Sequence, residues 1–222
     1  MAELYHLHIK GIKEHKWKEK KEIIINNNFT NRLGDKINNF NDCTNNRNLE
    51  DIANYLNDIL ATIGYQTYSK MPLHLILDHM LNNQSKIDKK TQMIILNELK
   101  TLAFHSSVFK RELAMENFRK DNNSSLPSRL HCLYATTENG IEFWKKRIID
   151  DDIDIYRIEV LEEPFKTSEI FIPDESFNYQ ELYKNSYGYW NPKLKNIPEE
   201  TSEYLVKGKV KILEKVDEIK KQ

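Results

Sequence analysis

The chain has 222 residues, of which 39% are hydrophobic and 30% charged, so a buried core can form beneath a well-solvated surface. Its 33 basic and 34 acidic side chains leave a net charge of −1, so a nucleic-acid partner would have to bind a local basic patch. The two distant cysteines, Cys43 and Cys132, argue against a disulfide framework and a cysteine-rich zinc site. With no long apolar run and no signal peptide, the sequence predicts a cytoplasmic protein that does not associate with membranes.

The N-terminal part is predicted to contain two short strands and a polar loop. Residues 3–9, ELYHLHI, alternate as a strand does, and residues 22–25, EIII, form a second strand. The connecting segment 10–21 is rich in lysine and carries Trp17. We interpret it as a solvated connection, and the alternative is a phosphate-binding segment with a stacking aromatic. Residues 26–48 are rich in Asn, which favours a long loop.

The middle of the chain, residues 49–120, is predicted to be a helical block. Apolar residues recur at helical spacing between Asn48, a plausible N-cap, and Gly64, a plausible stop. Further helices are predicted over residues 71–84 and over residues 88–119, which contain neither Gly nor Pro and form one long helix or two.

The C-terminal part returns to strands. Strands are predicted over 128–136, 154–162, 169–173 and 203–216, with helices over 138–150 and 177–190. Strand-rich ends that enclose a helical block predict an α+β fold rather than an alternating βαβ fold.

Known chemical motifs are few. His6 and His8 point to one face of the first strand, but no third residue has the spacing of a metal ligand, so no metal site is predicted. The sequence contains no Walker loop, GxGxxG, HExxH or GxSxG pattern, which argues against the corresponding phosphoryl-transfer, dinucleotide-binding, zinc-protease and hydrolase classes.

An aromatic cluster precedes a carboxylate at the start of the last predicted strand. Tyr187, Tyr189 and Trp190 come shortly before Glu203. Taken singly, such aromatics are most often core or surface residues, and a carboxylate at a strand end is most often solvated. Their order along the chain gives them more weight.

Three segments in order resemble the signature of the ADP-ribosyltransferase superfamily. They are a His in the first strand (LYHLH), a Ser-Arg pair entering a central strand (PSRLHCLYAT) and a Glu opening a late strand (SEYLVKGKVKI). The order also resembles a bacterial branch of that superfamily that is linked to toxins and phage conflict. The resemblance implies a single domain over 1–222 with a split antiparallel sheet as its core, about residues 1–25 and 121–216. The helical block at about 49–120 would then be an insertion.

The resemblance also implies roles for individual residues around NAD, which lies between two small antiparallel sheets in that superfamily. Glu203 would bind the ribose 2′-hydroxyl and stabilise the oxocarbenium-like transition state, and Ser128 would shape the nicotinamide pocket. His6 would contact a ribose or the phosphate region, and Arg129 the pyrophosphate. Four residues are candidates for the aromatic side chain that packs against the nicotinamide: Tyr134, Tyr187, Tyr189 and Trp190.

The predicted activity is therefore transfer of ADP-ribose from NAD to a protein or nucleic-acid acceptor, or hydrolysis of NAD, without a metal. Two alternatives belong to other classes. One is a non-catalytic interaction protein that binds a partner protein through the helical block. The other is a nucleic-acid-binding module that uses the basic segment 10–21.

Overall fold

A computed structural model describes residues 2–9, 17, 21–31, 33–35, 73–82, 88–148, 152–192 and 196–216. The chain divides into two compact units, one of residues 1–35 and 110–222 and one of residues 36–109. The helix predicted between Asn48 and Gly64, and all of the basic segment 10–21 except Trp17 and Lys21, lie outside the described residues. Within the described part of the chain, no helix is long and apolar enough to cross a membrane.

The first unit contains a four-stranded antiparallel sheet, in the order β1–β4–β7–β2. Its strands are β1 (Ala2–Ile9), β2 (Glu22–Ile25), β4 (Ile153–Val160) and β7 (Gly208–Val216). In β1, Leu4 lies opposite Ile158 and His6 lies opposite Tyr156. Because side chains alternate along a strand, these four point to the same face of the sheet.

A second, three-stranded antiparallel sheet has the order β3–β6–β5. It consists of β3 (Leu133–Ala135), β5 (Phe165–Ser168) and β6 (Ser202–Val206). The two sheets meet where Tyr5 of β1 and Thr136, just after β3, exchange two backbone hydrogen bonds of 2.8 Å. The prediction of an α+β fold with antiparallel sheets is confirmed.

The three-stranded sheet is covered on both faces, so that apolar residues on each face are buried. One face shares an apolar core with the four-stranded sheet, in which Leu133 and Val206 join Leu4 and Ile158. The other face packs against helices of the same unit through a second cluster that includes Leu205. Successive residues of β6 therefore enter different environments.

The described helices are α1 (Leu73–Leu81), α2 (Lys89–Asn122), α3 (Ile141–Arg147), α4 (Tyr179–Asn185) and α5 (Tyr187–Trp190). Helix α4 begins with a capping box in which the Asn178 side chain accepts a hydrogen bond from the Glu181 backbone and the Glu181 side chain accepts one from the Asn178 backbone. Short 3₁₀ turns occur at Glu138–Gly140, Glu169–Phe171 and Glu199–Thr201. Residues 110–122 of α2 belong to the sheet-containing unit, although the sequence places 49–120 in an insertion.

Three predicted strands differ from the structure. Residues 169–173 contain a 3₁₀ turn instead, because the Ser168 side chain accepts a hydrogen bond from the Ile170 backbone and ends the real strand, β5. The strand predicted over 203–216 is two strands, β6 and β7, which belong to different sheets and meet near Gly208, whose φ of 91° is left-handed. The strand predicted over 128–136 is reduced to the three residues of β3.

Candidate functional site

Four of the predicted site residues converge on the helix-packed face of the three-stranded sheet. Glu203 shares this face with Leu205, since the two are alternate residues of β6. Tyr134 lies opposite Leu205 in β3, so its side chain is on the same face. Arg129 and Tyr189 bring their side chains to Glu203 from the segment before β3 and from α5.

The centre of this cluster is the guanidinium of Arg129. Its Nη1 donates to Glu203 Oε1 at 2.8 Å and to the Tyr189 hydroxyl, and its Nε donates to Glu112 Oε2 at 2.8 Å. The Tyr189 hydroxyl in turn donates to Glu203 Oε1. Both donors to Glu203 thus bind the same oxygen, and among the described residues no donor binds Oε2.

Two aromatic rings complete the environment of Arg129. The guanidinium carbon lies 4.7 Å from the ring centre of Tyr189 and 5.5 Å from that of Tyr134, within the range of cation–π contacts. The Tyr134 hydroxyl also donates to the Arg129 carbonyl oxygen at 2.8 Å, which ties β3 to the segment that carries the arginine.

Burial and neighbouring charges act against each other at this site. Burial raises the pKa of Glu203, while the adjacent Arg129 and the Tyr189 hydrogen bond oppose that rise. Burial also disfavours the charge on Arg129, but the carboxylates of Glu112 and Glu203 and the two tyrosines hold its pKa well above the ordinary value. The arginine is therefore a fixed positive charge, and Glu203 is the group whose charge the surroundings tune.

Ser128 belongs to a neighbouring ion pair. Its hydroxyl donates to Glu116 Oε2 at 3.1 Å, and the same carboxylate binds Arg119 through contacts of 2.9 and 2.7 Å. Consecutive residues 128 and 129 thus contact different carboxylates of α2. The structure brings Arg129 to Glu203 and directs the Ser128 hydroxyl to the Arg119–Glu116 pair.

His6 lies on the opposite face of the three-stranded sheet from Glu203. Its ring stacks on Trp17, with centroids 4.3 Å apart and planes 17° apart, on the side of the core that contains Leu4. Its Nδ1 is 2.7 Å from the Tyr134 carbonyl oxygen, which identifies Nδ1–H as the donor. Burial lowers the pKa of His6 to about 3, so the ring is neutral. The structure does not place His6 and Glu203 around one shared space.

The remaining predicted aromatics, Trp190 and Tyr187, differ in exposure. Trp190 is buried and donates its Nε1–H to the Met115 carbonyl at 2.9 Å. Tyr187 is 51% exposed, and its ring meets Phe118 edge-on with centroids 6.3 Å apart. Of the four candidates for an aromatic wall, Tyr134 and Tyr189 are the two that line the Arg129–Glu203 pair.

Glu112 is the member of the cluster that the sequence did not predict, because its helix was assigned to an insertion. A sequence signal that could have indicated it is the spacing of two acid–base pairs on one helix, with Glu112 directly after Arg111 and Glu116 three residues before Arg119. A separate shallow groove of about 530 Å³ is lined by Asn117, Lys120, Asp121, Tyr179, Gln180 and Tyr183, none of them predicted. The described residues include no group of three or more His, Cys, Asp or Glu arranged to hold a metal ion.

The chain matches a protein-family model. The model of a family described as a protein of unknown function, DUF2441, matches residues 4–218 and so covers all but the ends of the chain, from β1 to β7. No curated protein matches this sequence.

Proposed function

We propose, for a chain that belongs to the DUF2441 family, that its sheet-containing unit binds NAD and breaks the nicotinamide–ribose bond, passing ADP-ribose to a macromolecule or to water. That family has no known function, so the proposal rests on this chain's own residues. It is supported by the carboxylate near the start of β6, which lies on the helix-packed face of the three-stranded sheet, so NAD would bind on that face and not between the two sheets. The observation that carries it is the Glu203 carboxyl, held by two donors on Oε1 with Oε2 unbound by any described residue.

The chemistry requires an oriented anion beside the ribose. When the C1′–N bond breaks, its electron pair leaves with nicotinamide and positive charge develops on the ribose ring. A bond then forms between C1′ and the acceptor atom, whose proton is released to solvent. One oriented carboxylate can stabilise that transition state by roughly 10²- to 10³-fold in rate, by analogy with single oxyanion-hole donors. Glu203 Oε2 would bind the ribose 2′-hydroxyl and face the developing charge.

Arg129 and Tyr189 would orient this carboxylate rather than bind the pyrophosphate. Arg129 is already engaged by Glu112 and Glu203, so we assign it to holding Oε1 in place. The ring of Tyr189, which lies against the guanidinium, and that of Tyr134 are then the candidates for the wall of the nicotinamide site. His6 would act at a distance, by fixing the Tyr134 carbonyl at the junction of β1 and β3.

The test is release of nicotinamide from NAD by the full chain and by Glu203→Gln. We expect the variant to lose roughly 10²-fold or more in rate, because the amide keeps the shape of the carboxyl but not its charge. Glu116→Gln is the matched control, since Glu116 binds Arg119 and the Ser128 hydroxyl but none of the residues that contact Glu203. Equal rates for wild type and Glu203→Gln, or no release by wild type with protein, nucleic-acid and water acceptors, would contradict the proposal.

A second function is favoured by the burial of the same residue. Glu203 is only 3% exposed, and its Oε1 belongs to a buried ion-pair network with Arg129 and Glu112, as in a structural cluster. On this reading the unit is a non-catalytic scaffold for a partner protein.

Ligand-induced stabilisation separates the two functions. NAD at 100 times its dissociation constant should stabilise a binding protein by about 2.7 kcal/mol, seen as a rise in Tm. Absence of any rise in millimolar NAD, measured by differential scanning fluorimetry with adenosine as the control ligand, would favour the scaffold.

A further inference from the structure

A chain of alternating charges runs from the protein surface to Glu203. Glu175 Oε2 lies 2.5 Å from Arg111 Nη1, and Arg111 Nη2 lies 3.2 Å from Glu112 Oε1. Glu112 Oε2 then binds Arg129, which binds Glu203. The exposed fraction of the carboxylate side chains falls from 37% at Glu175 to 1% at Glu112 and 4% at Glu203.

Glu112 occupies the centre of this chain because its two oxygens bind different arginines. Oε2 holds Arg129 by Nε, and Glu203 holds the same guanidinium by Nη1. A planar guanidinium fixed at two of its nitrogens cannot rotate about its own axis. Without the bond at Nε, only contacts made through Nη1 and the two aromatic rings would orient it.

We propose that Glu112 is a positioning residue, which fixes Arg129 so that the arginine holds the Glu203 carboxyl in a single orientation. Its effect on nicotinamide release rests on the function proposed above, whereas its effect on Glu203 itself does not. Glu112 would touch neither NAD nor the acceptor. It lies on α2, whereas Glu203 lies on β6, Arg129 in the segment before β3 and Tyr189 on α5.

The charges around Glu203 make this role measurable. The groups that act on its carboxyl are Arg129 and Tyr189, which lower its pKa, and Glu112 and Glu169, which raise it. Glu112→Gln removes a repelling charge but keeps an oxygen that can accept the bond from Arg129 Nε. Glu112→Ala removes the charge and the acceptor together, so the guanidinium is no longer anchored at Nε.

The experiment follows the Glu203 carboxyl by ¹³C NMR in glutamate-labelled full-length protein, with the resonance assigned by its loss in Glu203→Gln. We expect Glu112→Gln to lower the pKa of Glu203 relative to wild type, and Glu112→Ala to give a higher pKa than Glu112→Gln. Glu116→Gln, one helical turn further along α2 and paired with Arg119, should leave the titration unchanged. In parallel, Glu112→Ala should lower kcat for nicotinamide release by about 10²-fold, and Glu112→Gln should restore most of it.

The outcomes test the positioning role of Glu112 separately from the proposed function. The same Glu203 pKa in Glu112→Gln and Glu112→Ala, or an equal shift in Glu116→Gln, would overturn the positioning role whatever the activity. The expected titrations in a protein that releases no nicotinamide would support the positioning role and overturn the proposed function. If Glu112→Ala does not fold, Glu112→Asn replaces it under the same criterion, because the shorter side chain withdraws the acceptor from Arg129 Nε.

Discussion

At the scale of single residues, two of the titratable residues predicted for the site, Glu203 and His6, have opposite environments. Glu203 lies beside a fixed positive charge, whereas His6 is packed against Trp17 and hydrogen-bonded to a backbone carbonyl. The Glu203 side chain lies on the helix-packed face of the three-stranded sheet. The His6 side chain lies on the other side of that sheet, towards the core that the two sheets share. The family resemblance proposed both residues for one site, but the sequence could not show which face of a sheet each side chain would take.

His6 gives a pH dependence whose sign follows from its pKa. The folded protein lowers that pKa to about 3, below the ordinary value near 6.5, so the unfolded chain binds more protons between these values. The contribution of His6 to the free energy of unfolding should therefore be greatest above about pH 6.5 and decrease as the pH falls towards 3. Because His6 as a residue is only half-buried, solvent screening reduces the effect, and we expect a loss of about 1 kcal/mol between pH 7 and pH 5.

Urea unfolding at a series of pH values measures this loss. His6→Gln, which can still donate to the Tyr134 carbonyl, should show a shallower decline over the same range than wild type. Identical declines in the two proteins would show that other groups cause the acid sensitivity.

At the scale of elements, the turn between β6 and β7 decides how the end of the chain is divided between the sheets. Val206 ends one strand and Gly208 begins the next, in a different sheet. Alternation of apolar residues predicted a strand throughout 203–216, because both strands follow the same period. Gly208 was the sequence signal for the change of sheet, because its left-handed φ of 91° is unfavourable for residues other than glycine.

Gly208→Ala should destabilise the protein. The left-handed conformation costs a residue with a Cβ about 1–2 kcal/mol, and the added methyl would also overlap the Glu162 carboxyl. The double variant Gly208→Ala, Glu162→Ala removes the overlap but keeps the conformational cost, so it should recover only part of the loss. Thermal or urea unfolding compares the two variants with wild type and with Glu162→Ala alone. An unchanged free energy of unfolding in Gly208→Ala would show that the turn relaxes without cost.

At the scale of the whole molecule, the hydrophobic pattern was sufficient to predict an α+β fold, while the antiparallel arrangement of the strands was expected only from the family resemblance. Strands β1, β2 and β4 match their predicted segments closely because each has one apolar face. The assignment of α2 was less complete. Its residues 110–122 pack in the sheet-containing unit, and the uninterrupted helical pattern of 88–119 gives no sign of where that packing begins. This is why Glu112 was not predicted, although Arg129, Tyr134, Tyr189 and Glu203 were.

The alternation of β6 has a consequence for insertions and deletions. Glu203 and Val206 are an odd number of residues apart on β6, so their side chains lie on opposite faces of the strand. The Glu203 carboxyl therefore faces Arg129, and Val206 faces the core between the sheets. One residue gained or lost within β6 would exchange the two, burying an acid among apolar side chains and leaving the arginine with Glu112 alone. Insertion or deletion of a single residue in this strand should therefore disrupt the site, whereas a substitution that leaves the length of the strand unchanged keeps the alternation of its faces.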